Sequence, residues 1–254
     1  MHKFHMTLAC GVLCYCLCMS VIAAPAPTAA PVNVTQIKKA NAQAVAENQL
    51  IDQLNKAEAA HDWQTTESLS RQLIAMAPGR WQYSQALGDA QLNLGKYSEA
   101  VQSYAMALPA LEQDKTDAKR TRQVMSAIYT NQGNAYLKLK RPQDATAAYS
   151  KAAQLSDNPA TAYFNLCATY YNTGETEGAL KACDQAIAAN PNKADTYFIK
   201  GSLLVGNSTL DANNKVVAPP GAAEALRMYL KLTPTGSHAD DVKQMLDYIN
   251  GKGP

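Results

Sequence analysis

The chain has 254 residues, 47% of them hydrophobic, with 23 basic against 21 acidic residues and only three Phe and two Trp. That length holds one or two ordinary domains with enough apolar material for a core, and the alanine-rich balance suits closely packed helices. With a net charge of +2, nothing in the charge balance predicts binding to nucleic acid or acidic membrane.

The first element is an apolar run over residues 6–24 that follows His2 and Lys3 and carries no charge. Val21-Ile22-Ala23 offers small residues at the offsets signal peptidase needs, so residues 1–23 read as a secretory signal peptide cut after Ala23. Cleavage after Ala24 or Ala26 would leave Pro25 or Pro27 at the first mature position. Two alternatives stay open. One is an uncleaved anchor, since the run approaches the roughly 20 residues that span a bilayer. The other is a lipoprotein, for which Thr7-Leu8-Ala9-Cys10 sits early and lacks Leu at the proper place. Cys10, Cys14, Cys16 and Cys18 read there as small hydrophobes. Residues 24–34, rich in Ala, Pro and Thr, form a tether that carries the sequon Asn33-Val34-Thr35.

Residues 35–60 have few breakers and apolar positions at Ile37, Ala40, Ala44, Ile51, Leu54 and Ala57, which predicts one long helix or two abutting ones. His61-Asp62-Trp63 interrupts it, and residues 64–76 form a second helix that stops before Pro78-Gly79. A clearer pair follows, residues 81–94 and 97–108, turning at Gly95-Lys96 and ending at Pro109. Residues 112–123, with Lys115, Lys119, Arg120 and Arg122, read as a solvated helical extension, with a basic contact patch as the other reading. Residues 206–220 read as a β-hairpin finger, with Ser208-Thr209-Leu210 and Lys215-Val216-Val217 flanking an Asp/Asn turn. Beyond it, Ser237 with Asp240 three residues on marks a helix start, and Val242, Met245, Leu246 and Ile249 line one face of a sealing helix.

Residues 126–159 and 160–193 are the same pattern shifted by 34 residues: Gly133, Tyr136, Ala145, Tyr149 and Ala152 reappear as Cys167, Tyr170, Ala179, Cys183 and Ala186. Leu87, Gly88, Ala100, Tyr104 and Ala107 set the same pattern in residues 81–114, and Tyr197, Gly201, Ala225 and Tyr229 continue it around the finger. On these residues the chain resembles the tetratricopeptide repeat (TPR) family, and is closest to its exported bacterial members. The resemblance implies an all-α, right-handed α-solenoid of TPR helical hairpins with a C-terminal capping helix. The repeat domain is expected over residues 35–254. It comprises a degenerate unit at 35–80, then 81–114, 126–159, 160–193, and 194–234 with the finger at 206–220, closed by the cap at 235–254. Such hairpins cannot bury their apolar faces alone and must stack.

Cys167 and Cys183 flank the turn at residues 172–176 symmetrically, which puts them level on facing helices and points to a disulfide in an oxidising compartment. Two packed thiols, or a catalytic or metal-binding pair, are the alternatives. His61 and His238 fall at opposite ends of the repeat array and cannot cooperate in metal binding or acid-base work. No catalytic residue, metal site or cofactor is expected. Asp211-Ala212-Asn213-Asn214-Lys215 begins like a calcium loop but places Lys where an oxygen ligand is required.

The resemblance also implies a concave groove lined by the first helix of each hairpin. By register it includes Gln85, Asp89, Asn93, Asn131, Asn134, Lys138, Phe164, Asn165, Tyr171, Asn172, Phe198 and Ser202. Amides grip a peptide backbone through paired donors and acceptors, and the aromatic rings accept apolar side chains. Asn134 and Asn165 match the Asn pair with which chaperone-binding relatives clamp a carboxylate, but Asp195 and Ile199 stand where that clamp needs basic residues. Asn131, Asn134, Phe164 and Asn165 are expected to meet at the seam between the two repeats. The expected function is a non-catalytic scaffold, exported to the periplasm or envelope, that binds a protein or peptide partner and no nucleic acid. It would contact membrane only if the signal segment is retained. A structural subunit of an envelope assembly and an accessory subunit of an enzyme are the alternatives.

Overall fold

The computed structural model describes residues 34–252. The signal peptide, Cys10, Cys14, Cys16, Cys18 and nearly all of the tether lie outside the described residues. The chain divides into two compact units, Met1–Ala42 and Gln43–Pro254. Of the first, the described part is helical from Val34 onward.

Eleven helices are found among the described residues, beginning with α1 (Val34–Ala59), α2 (Trp63–Met76), α3 (Trp81–Asn93) and α4 (Tyr97–Gln113). The C-terminal half of α1 packs Leu54 and Ala57 against Leu69 and Leu73 of α2 and Tyr83 and Ala86 of α3. His61 adopts a left-handed φ of 55° in the turn, and Asp62 caps α2 by accepting the Thr65 amide at 3.1 Å.

Pro109 does not end α4, contrary to the sequence expectation: the helix runs through it to Gln113. Proline there removes one backbone bond, at a cost of about 3 kcal/mol. The continuation buries Leu111 completely among Trp81, Met125 and Ile128, and side-chain burial of that kind offsets about 1.5–3 kcal/mol. The indole Nε1 of Trp81 donates to Asp114 at 3.3 Å just past the helix end.

Next comes α5 (Ala118–Lys138), which starts two turns earlier than the repeat register suggests. Asp117 supplies the reason, since its Oδ1 accepts the amides of Lys119 at 3.0 Å and Arg120 at 2.9 Å. The polar stretch 112–123 is therefore not one extension but the end of α4, a turn and the exposed start of α5. Lys119 and Arg122 approach Asp157 at 3.9 and 3.8 Å on the surface.

The array continues through α6 (Pro142–Leu155), α7 (Ala160–Thr173), α8 (Thr176–Ala189) and α9 (Ala194–Gly206). A two-stranded antiparallel ribbon, β1 (Thr209–Leu210) with β2 (Val216–Val217), precedes α10 (Ala222–Leu232) and α11 (Ala239–Ile249). The Asp211 carboxylate closes the ribbon turn by accepting the amides of Asn213 at 2.8 Å and Lys215 at 2.9 Å.

Consecutive helices pack as antiparallel hairpins, α3 with α4, α5 with α6, α7 with α8 and α9 with α10. Glycine sets how closely they approach. A Cβ on Gly88 would lie 2.6 Å from the Tyr104 ring, and one on Gly133 would lie 2.4 Å from the Tyr149 ring. At the equivalent place in the next hairpin, with the same separation of sixteen residues, Cys167 and Cys183 form a disulfide with their Cα atoms 5.0 Å apart. A covalent link thus stands where the two preceding hairpins seat a tyrosine on a glycine.

Val242, Met245, Leu246 and Ile249 of α11 pack on Tyr197, Leu226 and Tyr229, sealing the last hairpin. Ser237 does not cap α11. His238 occupies that position, its backbone N–H donating to the Tyr229 hydroxyl at 3.0 Å and its imidazole stacking on Phe198 at 3.9 Å. Tertiary packing fixes this helix start in place of a local capping box.

Candidate peptide-binding cleft

The first helices α3 and α5 touch, and Asp89 holds them together. Its Oδ1 accepts the Tyr104 hydroxyl of α4 at 2.6 Å and the Asn131 amide of α5 at 3.0 Å. Burial raises the Asp89 pKa above the usual carboxylate value, against the lowering effect of hydrogen bonds from Tyr104, Asn131 and Gln85. Gln85, Asp89 and Asn131 are therefore committed within the fold.

Asn134 is also partly committed, since its Oδ1 accepts the Tyr149 hydroxyl at 2.7 Å. Tyr149 is buried by its seat on Gly133, and that burial pushes its pKa up. With Oδ1 occupied, the amide nitrogen of Asn134 is the group left to donate. Asn93 is fixed in the reverse sense: its Nδ2 donates to the Asp89 carbonyl at 2.8 Å, leaving its Oδ1 to accept.

Asn93, Asn134 and Lys138 meet in a cleft of about 610 Å³ whose other walls are Leu92, Tyr97 and Leu137. Leu137 is 40% exposed. The cleft thus joins apolar walls to one amide donor, one amide acceptor and one cation, with no carboxylate among the residues that line it. Such a lining suits noncovalent recognition of a chain segment: an apolar side chain between the leucines, its backbone across the amides.

The other groove residues lie elsewhere. Phe164 carries the Lys193 ammonium 4.0 Å above its ring, and Asn165 is half-buried beside it, with its carbonyl accepting the Thr169 hydroxyl at 2.6 Å. Tyr171 and Asn172 are exposed near the end of α7. Phe198 is spent on His238 and the core beneath α11, and Ser202 is half-buried on α9. At the expected seam, Asn131 turns back to α3 and Asn134 to its own hairpin, while Phe164 pairs forward with Lys193. Leu92, Tyr97 and Leu137 were not read from the sequence. The available signal was Leu137, a large apolar residue one position before Lys138 at a helix end.

His61 packs near Trp63, with ring centroids 5.3 Å apart, and His238 lies against Phe198. Among the described residues no group of three or more His, Cys, Asp or Glu side chains is placed to hold a metal ion, and no helix is long and apolar enough to cross a membrane.

Tetratricopeptide repeat family models match residues 84–119 and 136–197. DnaJ homolog subfamily C member 7 of Mus musculus is 28% identical over 140 residues, covering 55% of this chain and 26% of the relative, so the chain spans about a quarter of that protein's length. Among solved structures, YrrB, a TPR protein with an unusual peptide-binding site, superposes with a TM-score of 0.61 at 18% identity, covering 80% of this chain and 96% of its own. MamA superposes with a TM-score of 0.60 at 18% identity over 74% of this chain and 92% of its own. A tetratricopeptide repeat protein from Parabacteroides merdae gives 0.60 at 16% identity over 81% and 74%. These structural likenesses are likenesses of fold.

Proposed function

Because the chain is a tetratricopeptide repeat protein, we propose that it is a non-catalytic scaffold, exported to the cell envelope, that binds a peptide segment of a partner protein in the cleft between α3 and α5. The observation that carries the reading is the convergence of Asn93, Asn134 and Lys138 with Leu92 and Leu137 in one open cleft. The peptide-binding site announced for YrrB supports it by analogy. Export is supported by the charge-free run at residues 6–24 with its Ala23 cleavage position, and by the Cys167–Cys183 bond, since disulfides persist in oxidising compartments.

The test is crosslinking in the native envelope with partner identification. Leu137→Asp combined with Lys138→Glu changes only exposed side chains, so the fold should survive and partner recovery should fall to background. Undiminished recovery would move the contact away from this cleft.

A further inference from the structure

A second cleft, of about 460 Å³, lies between α6, α7 and α8. Tyr163, Leu166 and Tyr170 form one stripe of α7 and line it, while Phe164 and Tyr171 fall on another. We propose that this cleft binds a small, hydroxyl-rich anion of the sugar-acid class, such as a uronate.

Its polar lining comprises Ser150, Gln154, Tyr163, Tyr170, Lys181 and Gln185. None of these six side chains hydrogen bonds to or pairs with another described residue. The other clefts differ in this respect. Between α3 and α5, Asn93 and Asn134 already hold partners. In the cleft bordered by α2, α3 and α4, Gln91 bonds Ser103 at 2.6 Å and Arg71 pairs with Glu67 at 2.9 Å. Around α7 six donors and acceptors border the space between helices with no partner among the described residues, Gln154, Lys181 and Gln185 at its exposed rim and Ser150, Tyr163 and Tyr170 half-buried within it.

The charge of the lining selects the ligand's sign: Lys181 is its one cation, and no carboxylate is present. Neutral groups select hydroxyls, because hydroxyl and amide side chains both donate and accept, as sugar hydroxyls do. Two tyrosine rings and the buried Leu166 offer the apolar surface that the C–H face of a sugar ring covers.

The walls are fixed in advance. The Tyr170 ring lies on Gly178, where a Cβ would stand 3.3 Å away. The disulfide ties α7 to α8 through Cys167 and Cys183, each the immediate neighbour of a lining residue, Leu166 and Ala182. A ligand therefore meets preset walls, and only the exposed side chains of Gln154, Lys181 and Gln185 have freedom to lose on binding.

Calorimetric titration of the folded protein with D-glucuronate and D-galacturonate tests this, with D-glucose and a glutamate-rich peptide as comparisons. At least one uronate should saturate the protein, D-glucose should bind about tenfold or more weakly, and Lys181→Met should weaken the uronate by about ten- to a hundredfold, the loss expected for one charged hydrogen bond. Helicity by circular dichroism should be unchanged in that variant, and Leu137→Asp with Lys138→Glu should bind uronate as the wild type does. Three results would overturn the proposal: no saturation by either uronate at millimolar concentration, binding indifferent to Lys181, or a glutamate-rich peptide outcompeting the uronates, which would give the cleft to a protein partner.

Discussion

Asn131 on α5 donates its amide to the carboxylate of Asp89 on α3, and this 3.0 Å bond ties two neighbouring hairpins together through their first helices. The same oxygen also accepts the Tyr104 hydroxyl at 2.6 Å. Two residues whose register suggested a ligand groove therefore hold the repeat array in place, and this gives the first prediction.

Burial raises the Asp89 pKa in the folded protein, so the folded chain holds that proton more tightly than the unfolded one. The contribution is fully present below the ordinary value of 3.8 and is lost as pH rises through the raised folded value. Glu58, raised by burial and then by the Asp89 charge, acts with the same sign. Asp89→Asn should flatten this fall in stability, seen as urea midpoints that change less between about pH 3.5 and 7. Asp89→Ala should cost about 1–3 kcal/mol at acid pH, because Tyr104 and Asn131 lose their acceptor, and less as pH rises.

Gly133 is the hinge of close packing between α5 and α6. With its Cβ placed 2.4 Å from the Tyr149 ring, Gly133→Ala must displace a fully buried tyrosine. A loss of about 1–3 kcal/mol in chemical denaturation is expected, the usual cost of overpacking. The Tyr149–Asn134 bond should be disturbed along with it, so this variant should also impair partner recovery.

Removing the disulfide as Cys167→Ser with Cys183→Ser should lower stability by about 3 kcal/mol on the chain-entropy account of a loop this size. Both sulfurs sit in fully buried residues. Reductant added to the native protein should therefore open the bond only at the rate of local unfolding, followed by thiol alkylation and mass spectrometry.

His238→Ala should loosen the C-terminal seal. The variant loses a stacked ring at 3.9 Å from Phe198, worth about 0.5–1.5 kcal/mol. Faster amide exchange confined to α11 and the first half of α9 is the expected signature.

The repeat pattern made most of the fold legible, because Gly, Ala and Tyr at fixed offsets are the residues that let helices approach and then fill the space left over. It failed where tertiary packing outweighs local preference. Pro109 should stop a helix, yet burial of Leu111 carries α4 past it. Ser237 offers a cap, yet Tyr229 and Phe198 position the start of α11 through His238. Groove residues were readable as a register and not as a site, because register reports which face a side chain occupies and not whether a neighbour has already taken its hydrogen bonds. Asp89 and Asn131 were taken in this way, and Lys138 was left free. Leu92, Tyr97 and Leu137 escaped notice because a half-exposed apolar residue at a helix end carries no periodic signature.

The Cys167–Cys183 bond also governs how the array yields to force. Hairpins that contact chiefly their neighbours should peel away one at a time when the chain is pulled from its ends. Most would release their full contour, but the crosslinked one would hold back the sixteen-residue separation between its sulfurs, about 55 Å of extension. A pulling experiment before and after reduction would therefore show one short step grow to the length of the rest, marking α7 and α8 in the trace.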